Sequence, residues 1–281
     1  MKPFNKIAII GVGLIGGSIG KALKSKALAR QVTGVFRRKS SMNRAMRAKA
    51  VDSGTLDMKK GVSDADLVII VTPVSLIPHM AKKAGPFMKK GAIVTDAGSV
   101  KVFVENEVRK HLPRGVHFVG AHPMAGSEKT GVGSARGDLF RGAVTIVTKS
   151  ASTDKSSLKR VKDLWAALGS EVVVMSPAEH DKRVALASHL PHIVAQSICL
   201  AVDKDNLKYT AGGFRDSTRI ALSDPGMWND IFRANGIEIS SALDNVIDDL
   251  VKFKSLIRKK AFTALLLRSK KARDIREKCL R

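Results

Sequence analysis

The sequence predicts an α/β domain with a doubly wound, mostly parallel sheet, followed by an all-α domain. In residues 1–176, short apolar runs alternate with amphipathic stretches, the pattern of buried parallel strands connected by helices. After residue 176 the strand pattern stops, and apolar residues recur three or four positions apart, as they do in helices. We therefore expect an α/β domain over residues 1–176 and a helical domain over residues 177–281.

The predicted strands of the first domain are short, and several are rich in Val and Ile, as strands buried on both faces are. They span Lys6–Ile10, Gln31–Phe36, Leu67–Thr72, Ala92–Asp96, His117–Ala121, Ala143–Val147 and Glu171–Met175. Helical patterns are found at Gly16–Lys26, Ser41–Ala50, Leu76–Lys83, Val100–Lys110 and Ser156–Leu168. This alternation is typical of strands joined by crossover helices.

Two amphipathic segments, Ala178–Asp203 and Ile239–Ile257, form most of the predicted helical domain. Long apolar faces in a small domain indicate burial against a partner. We therefore expect a homodimer formed through the C-terminal helices.

The composition is that of a globular protein, with 44% apolar and 26% charged residues. No apolar run approaches the ~20 residues of a membrane-spanning helix, and the N-terminus leaves no room for a signal peptide. The two cysteines, Cys199 and Cys279, have neither metal-ligand spacing nor a disulfide pattern. We expect a cytoplasmic protein with no bound metal and no membrane partner.

The net charge of +24 is unusual, and nucleic-acid binding is one explanation for it. However, much of the excess lies in residues 252–281, no nucleic-acid motif accompanies it, and aromatic residues make up only 5%. We favour a solvated basic surface, which would also attract anionic substrates and dinucleotides. No nucleic-acid partner is expected.

The sequence GVGLIG at residues 11–16 follows a hydrophobic strand and opens a helix, the context in which GxGxxG binds a dinucleotide. Gly11 would permit the tight turn, Gly13 the approach of the pyrophosphate, and Gly16 the packing of helix on strand. The free N–H groups at Leu14 and Ile15 would then face the phosphates. The alternative is a glycine-rich turn without a ligand. The pattern favours a Rossmann domain.

The second predicted strand runs into Arg37, Arg38 and Ser40. NAD sites usually place an Asp or Glu at this strand end to bind the ribose 2′-hydroxyl, and none is present. The two guanidinium groups are suited to a 2′-phosphate instead. NADP is therefore favoured over NAD. The alternative is that both arginines are surface charges and that NAD binds through other contacts.

Thr72, Pro73 and Val74 follow the predicted central strand at its carboxyl end. Ligands bind beyond the carboxyl ends of the strands in such sheets. We expect these three residues to contact a ribose of the cofactor.

Four further motifs follow GVGLIGGS along the chain. They are GSVK at residues 98–101, GAHPMAGSE at 120–128, SHLPH at 188–192 and FRDSTRIALSDPGMW at 214–228. Together and in this order, over about residues 5 to 260, they resemble the prephenate/arogenate dehydrogenase family. The resemblance implies a Rossmann domain followed by an all-α C-terminal dimerisation domain. It implies oxidative decarboxylation of a cyclohexadiene acid, with hydride transfer to NAD(P), in tyrosine biosynthesis.

The resemblance also implies residue roles. His122 matches the family's catalytic histidine, which must be neutral to accept the proton of the ring hydroxyl. Ser99 would orient the same hydroxyl, Arg219 would bind a substrate carboxylate, and His192 would lie near the substrate side chain. Further matches near this region are Ser127, Glu128, Asp216, Ser223 and Trp228.

Other histidines have structural interpretations. His189 lies one helical turn before His192, and we expect it to be structural. His180 and Asp181 have the pattern of a helix cap or a helix-packing pair. Arg215, four residues before Arg219, could share a helix face with it.

Two alternatives remain open at this point. The chain could be another Rossmann oxidoreductase with a helical second domain, such as a β-hydroxyacid dehydrogenase or an imine reductase, although these lack HPMAGSE and SHLPH together. It could also be a non-catalytic dinucleotide-sensing or nucleic-acid-binding protein. The presence of His122, Ser99 and Arg219 favours an enzyme. There is no spare length for a chorismate mutase or ACT domain, and the choice between prephenate and arogenate is left open.

Overall fold

The computed structural model describes residues 2–126 and 130–279. Its contacts divide the chain into two compact units, Met1–Gly236 and Ile237–Arg281. The first unit contains both sheets and the shorter helices. The domain boundary predicted at residue 177 is a different division from this one, and it stays a prediction.

The first unit is built on a six-stranded parallel sheet with the strand order β3-β2-β1-β4-β5-β6. Its strands are β1 (Phe4–Ile10), β2 (Ala29–Val35), β3 (Ser53–Thr55), β4 (Leu67–Ile70), β5 (Ile93–Asp96) and β6 (His117–Val119). The order reverses between β1 and β4, where Ile7 pairs with Val32 on one side and Leu67 on the other. All three side chains are fully buried. Such a switch point opens a crevice at the carboxyl ends of the strands.

A second, three-stranded sheet has the order β7-β8-β9, with β7 (Ala121–Pro123) antiparallel to β8 (Val144–Thr148) and β8 parallel to β9 (Glu171–Met175). The single strand predicted over His117–Ala121 is therefore wrong, because β6 and β7 belong to different sheets. The chain changes sheets at Gly120, where a Cβ would lie 2.5 Å from Thr148 Oγ1. The three-residue strand β3 was not predicted, since it is too short to show a period.

Six helices connect the strands: α1 (Leu14–Ser25), α2 (Lys39–Arg47), α3 (Met58–Val62), α4 (Ile77–Ala84), α5 (Val102–Arg109) and α6 (Lys155–Leu168). Only the five-residue α3 lacks a predicted counterpart. In α6 the Asp154 side chain accepts the Ser157 N–H at the start, and Gly169 ends the helix with a left-handed φ of 103°. The helix packs Trp165 edge-on against Phe140 in the core.

Helices continue the unit after β9: α7 (Pro177–Val184), a π-helical turn (Ala185–His189), α8 (Leu190–Ala201), α9 (Gly212–Thr218), a 3₁₀ turn (Arg219–Leu222) and α10 (Pro225–Ala234). Residues 176–279 as described contain no strand, as predicted. The stretch Pro177–Ala201 has the length and mean hydropathy, 1.4, of a candidate membrane span. Core helices of soluble proteins pass the same test, and this stretch supplies buried polar side chains to the site below.

The second unit consists of α11 (Gly236–Arg258), whose first residue closes the first unit, and α12 (Phe262–Lys278). Arg268 Nη2 of α12 donates to Asp249 Oδ1 of α11 at 2.9 Å, and its guanidinium lies over the Phe253 ring. Apolar side chains along both helices stay exposed, including Leu250 and Leu267. The amphipathic segment predicted over Ile239–Ile257 lies within α11.

Candidate active site

A cavity of about 700 Å³ lies at the carboxyl ends of β1, β2 and β4, at the switch point of the sheet. Its lining includes five residues predicted to bind the cofactor: Gly11, Gly13, Arg37, Thr72 and Pro73. Six other predicted residues do not line the cavity, although each is within three positions of one that does: Leu14, Ile15, Gly16, Arg38, Ser40 and Val74. Ser41, in the first turn of α2, was not predicted and lines the cavity.

The three glycines of GVGLIG have different surroundings. Gly11 has a φ of +95°, and a Cβ there would collide with the Val71 carbonyl. At Gly16 a Cβ would collide with the Gly11 carbonyl, so this glycine allows α1 to pack on the turn. Gly13 has open space where its Cβ would be. Gly11, Gly13 and Gly16 therefore serve the tight turn, the access of a ligand and the packing of the helix, in the order that the motif requires.

These residues fit a dinucleotide. The first turn of α1 has no side-chain cap, so its N–H groups and the positive end of the helix dipole are available to a pyrophosphate. Thr72 Oγ1, in the cavity wall, is buried without a hydrogen-bond partner in the structure. A ribose hydroxyl would give it one. No acidic side chain is among the residues that line this cavity.

His122 occupies the middle of β7, and its side chain is almost completely buried. Its Nδ1 lies 2.9 Å from Nε2 of His180 in α7. His180, fully buried, places its own Nδ1 2.7 Å from Oδ1 of Asp181. Asp181 also accepts backbone N–H groups from Lys101 (Oδ1, 2.7 Å) and Val102 (Oδ2, 2.9 Å). Two side chains, those of His180 and Asp181, thus connect the histidine predicted to be catalytic to the start of α5.

The structure decides between the two expected roles of His180 and Asp181, since the pair connects packed elements and does not cap its own helix. The cap of their own helix, α7, is Ser176, whose Oγ accepts the Glu179 N–H. Asp181 caps α5 instead, and His180 contacts His122. The sequence pattern of these residues gave no sign of either partner, because both lie more than 50 positions away in the chain.

A buried ion pair holds the residue before His122. Lys101 Nζ donates to Asp96 Oδ2 and, at 2.9 Å, to the Ala121 carbonyl. Asp96 Oδ1 accepts the Ala121 N–H at 3.1 Å, and its Oδ2 accepts the Gly98 N–H. Both backbone polar groups of Ala121 are therefore bonded to this pair. Ser99, predicted to orient the substrate hydroxyl, is half-buried in the same loop, between β5 and α5.

Burial is the main cause that holds the pKa of His122 well below its ordinary value of 6.5, and the positive charges possible on His180, Lys101 and His189 act in the same direction. Burial also lowers the pKa of His180, partly opposed by Asp181. The histidine predicted to accept a proton is thus neutral at physiological pH, as its role requires.

His189 lies in the π-helical turn and is fully buried. Asn235 Nδ2, which follows α10, contacts His189 Nδ1 at 3.2 Å and donates to the Asp181 carbonyl at 3.0 Å. Burial, together with His180, lowers the pKa of His189 to about 4. The ring also meets Trp228 edge-on at 5.9 Å. These contacts connect the His122 cluster to the helical residues predicted to bind substrate.

The predicted substrate residues of the helical part lie around Trp228, which is buried in α10. His192 stacks on the Trp228 ring with centroids 3.7 Å apart. Burial lowers the pKa of His192, and the nearby Arg219 charge lowers it further. A cavity of about 940 Å³ is lined by Asp216, Arg219, Ser223 and Trp228. Arg215 also lines it, although α9 ends at Thr218 and Arg219 belongs to the following 3₁₀ turn.

The structure does not bring all predicted residues into one cavity. Neither His122 nor Ser99 lines the cavity of Arg219, and Ser127 and Glu128 lie outside the described residues. One hydrogen bond connects the nucleotide side to α10: Ser75 Oγ, two residues after Pro73, donates to Asp230 Oδ2 at 2.5 Å. Among residues 2–126 and 130–279, no cluster of His, Cys, Asp or Glu could hold a metal ion.

Comparison with known proteins now decides the family. Residues 19–174 match the nucleotide-binding domain of prephenate dehydrogenase, and residues 176–269 match the prephenate dehydrogenase dimerization domain. The chain belongs to the prephenate dehydrogenase family. It is 37% identical to the cyclohexadienyl dehydrogenase of Zymomonas mobilis, over 92% of this chain and 90% of that protein. It is 36% identical to the prephenate dehydrogenase of Bacillus subtilis, over 96% of this chain and 75% of that protein.

Solved structures of the family have the same fold. The prephenate dehydrogenase of Aquifex aeolicus, in complex with hydroxyphenyl propionate and NAD+, has a TM-score of 0.91 at 34% identity and covers 98% of each chain. Synechocystis arogenate dehydrogenase has a TM-score of 0.81 at 28% identity, covering 96% of this chain and 99% of that one. The predicted family and fold class are confirmed. The chain is a dehydrogenase of tyrosine biosynthesis that uses a nicotinamide dinucleotide and decarboxylates its substrate.

Proposed function

We propose that this chain oxidises and decarboxylates prephenate or arogenate, with His122 as the acceptor of the ring-hydroxyl proton. The observation that carries the proposal is the environment of His122. Its ring is buried and neutral, and its Nδ1 is bonded to His180, which leaves Nε2 for the substrate. A neutral imidazole in a strand next to the nucleotide-binding sheet is suited to this task.

The proposed reaction has two stages. In the first, the ring hydroxyl gives its proton to His122, the carbinol C–H bond breaks with its electron pair, and a carbonyl forms. A bound nicotinamide supplies the acceptor for that hydride. In the second, the ring carboxylate leaves as carbon dioxide, and the electrons of the broken C–C bond make the ring aromatic. The phenolic oxygen takes back the proton held by His122, so no net proton remains on the enzyme.

Substrate binding is assigned to the cavity of Arg219. A guanidinium binds a carboxylate through two parallel hydrogen bonds, and the surrounding apolar lining strengthens that interaction. His192 and Trp228, stacked beside it, would contact the pyruvyl or alanyl side chain. Asp216 and Ser223 share the cavity and supply a further carboxylate and hydroxyl. Ser99 is assigned to the ring hydroxyl.

NADP is the proposed cofactor. Arg37 lines the nucleotide cavity at the end of β2, where an NAD-specific site would have an acidic residue, and no acidic side chain lines the cavity. The guanidinium can bind a 2′-phosphate. Arg38 and Ser40 start α2 beside it and are kept as secondary contacts.

A homodimer is proposed through the helical part, in a cytoplasmic enzyme with no nucleic-acid or membrane partner. The matched family model for residues 176–269 is a dimerization domain. Leu200 and Leu222, which border the Arg219 cavity, are 87% and 84% exposed in the single chain. Apolar side chains this exposed and this close together indicate a surface covered by a partner.

The test measures reduced-cofactor absorbance with prephenate or arogenate, each with NAD or NADP. Turnover with NADP in at least one pair is expected, and His122→Asn should lose about 10²-fold or more of kcat while KM changes little. Exposed His79→Asn is the matched control. Lack of turnover in all four pairs by a folded protein would overturn the proposed reaction. Unchanged kcat in the His122 variant would overturn its assigned role.

A further inference from the structure

We propose that His180 and Asp181 act as a relay that holds His122 in the tautomer with a free Nε2, so that both are positioning residues of the reaction. The inference rests on the proposed function, since it explains how the proton acceptor of that function is prepared. It depends on which atom donates in each hydrogen bond of the relay. The Asp181 carboxylate fixes the donor in its bond with His180, and that bond in turn fixes the donor between His180 and His122.

The Asp181 carboxylate can only accept hydrogen bonds when it is ionised. Two backbone N–H groups already point at it, from Lys101 to Oδ1 and from Val102 to Oδ2. Both carboxylate oxygens of Asp181 are therefore acceptors for N–H groups at the start of α5. The third contact, 2.7 Å from Oδ1 to His180 Nδ1, must therefore have the histidine as its donor.

The direction of the first bond sets the direction of the second. A neutral His180 with its proton on Nδ1 has only a lone pair on Nε2. The 2.9 Å contact with His122 then requires His122 to donate from Nδ1. The remaining nitrogen of His122, Nε2, is left with a lone pair, which is the state needed to accept a proton. A proton on His180 Nε2 instead would reverse the bond and place the His122 proton on Nε2.

Burial favours the neutral ring of His180. It has no exposed surface, and burial is the largest cause that lowers its pKa. The ammonium of Lys101 acts in the same direction, whereas Asp181 and Asp96 oppose it. His122 faces it from β7, and His189 lies within its electrostatic range.

The relay is held in place from outside. Asn235 donates to the Asp181 carbonyl, and Asp181 itself bridges α7 and α5. The interaction of Lys101 and Asp96 with Ala121 holds the backbone next to His122. The two imidazole rings and the carboxylate therefore cannot easily rotate apart, and the tautomer is built into the fold.

The same chain can spread the positive charge that forms during reaction. When Nε2 of His122 takes the substrate proton, its Nδ1 proton can move to His180 Nε2. The positive charge is then on His180, next to the Asp181 carboxylate, and no electron has been transferred. The proton returns along the same path when the phenolic oxygen is protonated. His180 would thus accept a proton that, in a solvent-exposed site, water could accept.

Three variants test the relay by kcat and KM. His180→Leu removes the acceptor of the His122 Nδ1 proton. Its kcat should fall about 10²-fold or more, and its KM should stay within about threefold of the wild-type value. His180→Gln leaves an oxygen near the position of Nε2 but cannot carry the proton, so its kcat should lie between that of His180→Leu and wild type. Asp181→Asn offers an amide donor to His180, which should reverse the tautomers and lower kcat. Exposed His79→Gln is the control. Equal, near-wild-type kcat for all three variants would overturn the relay.

The decisive readout does not depend on turnover. In protein with ¹⁵N-labelled histidine rings, proton–nitrogen spectra should show wild-type His122 protonated on Nδ1 and unprotonated on Nε2. Asp181→Asn should reverse this. A proton on Nε2 in the wild type would overturn the proposal even if the variants failed to fold. The expected tautomer without turnover on any substrate would instead count against the proposed reaction alone.

Discussion

His122 and His180 place two imidazole rings 2.9 Å apart, Nδ1 to Nε2, in a part of the protein that solvent hardly reaches. Two such rings cannot both be protonated without a large electrostatic cost. The pair therefore sets the pH range in which the enzyme can work.

The activity should persist into acid. Burial holds the pKa of His122 well below 6.5, so the neutral, active form is present above its folded pKa and is lost as pH falls through it. We expect kcat/KM in the free enzyme to be constant from pH 8 down to about 6.5 and to fall only below that. Initial rates in buffers of constant ionic strength would measure this. An acid limb centred above pH 7 would contradict the assignment of His122.

Acid should also destabilise the fold. The pKa of His189 is about 4 in the folded chain and about 6.5 when unfolded, so between these values the unfolded chain binds a proton that the folded one does not. Stability is full above pH 6.5 and falls as pH approaches 4, by up to about 3 kcal/mol from this residue. Urea titrations at several pH values should show that the free energy of unfolding depends less on pH in His189→Gln than in the wild type. The same dependence as wild type would show that His189 is not the group responsible.

Cofactor preference should change at Arg37. Its side chain lines the nucleotide cavity, whereas Arg38, its neighbour, does not. Arg37→Asp should lower kcat/KM for NADP by at least about tenfold and raise it for NAD, because a carboxylate repels the 2′-phosphate and accepts the 2′-hydroxyl. Arg38→Asp is the matched control for charge and should have a smaller effect. If both variants change kcat/KM equally, long-range electrostatic attraction, and not contact with the 2′-phosphate, would explain the cofactor preference.

Two alanine variants should separate binding from folding in the glycine motif. Gly13 has open space around its missing Cβ, so Gly13→Ala should fold normally but weaken dinucleotide binding about tenfold or more, since the methyl group enters the cavity. At Gly16 the methyl group would collide with the Gly11 carbonyl, and Gly16→Ala should lose about 1–3 kcal/mol of stability. Thermal unfolding and cofactor titration distinguish the two. Normal affinity in Gly13→Ala would exclude an approach of the pyrophosphate there.

Substrate affinity should depend on Arg219 more than on Arg215, although both line the same cavity. Arg219→Gln should raise KM by about 10²-fold, the loss expected for one charge-assisted pair in an apolar site, with a smaller change in kcat. Arg215→Gln is the control, because it removes the same charge one turn away. If Arg215→Gln has the larger effect on KM, the carboxylate site has to be reassigned to it.

The sequence by itself determined the family, the order of most elements and part of the lining of the nucleotide cavity. This was possible because these features are local: buried strands are apolar runs, helices repeat every three or four residues, and GVGLIG is a continuous turn. It also pointed to His122, Arg219 and His192, through motifs that stand together in the chain. The short elements β3 and α3 were missed, since three to five residues carry no period.

Only the tertiary structure decided which groups surround His122. Asp181 reaches His122 through His180, and it separately accepts the Lys101 N–H at the start of α5. The His122–His180 and Lys101–Asp181 contacts span 58 and 80 positions of the chain, and no local pattern encodes them. The lowered pKa of His122 and its proposed tautomer depend on burial and on hydrogen-bond partners, which exist only once β7 and α7 have packed together. Sequence specifies the residue types, and long-range packing specifies their electrostatic state.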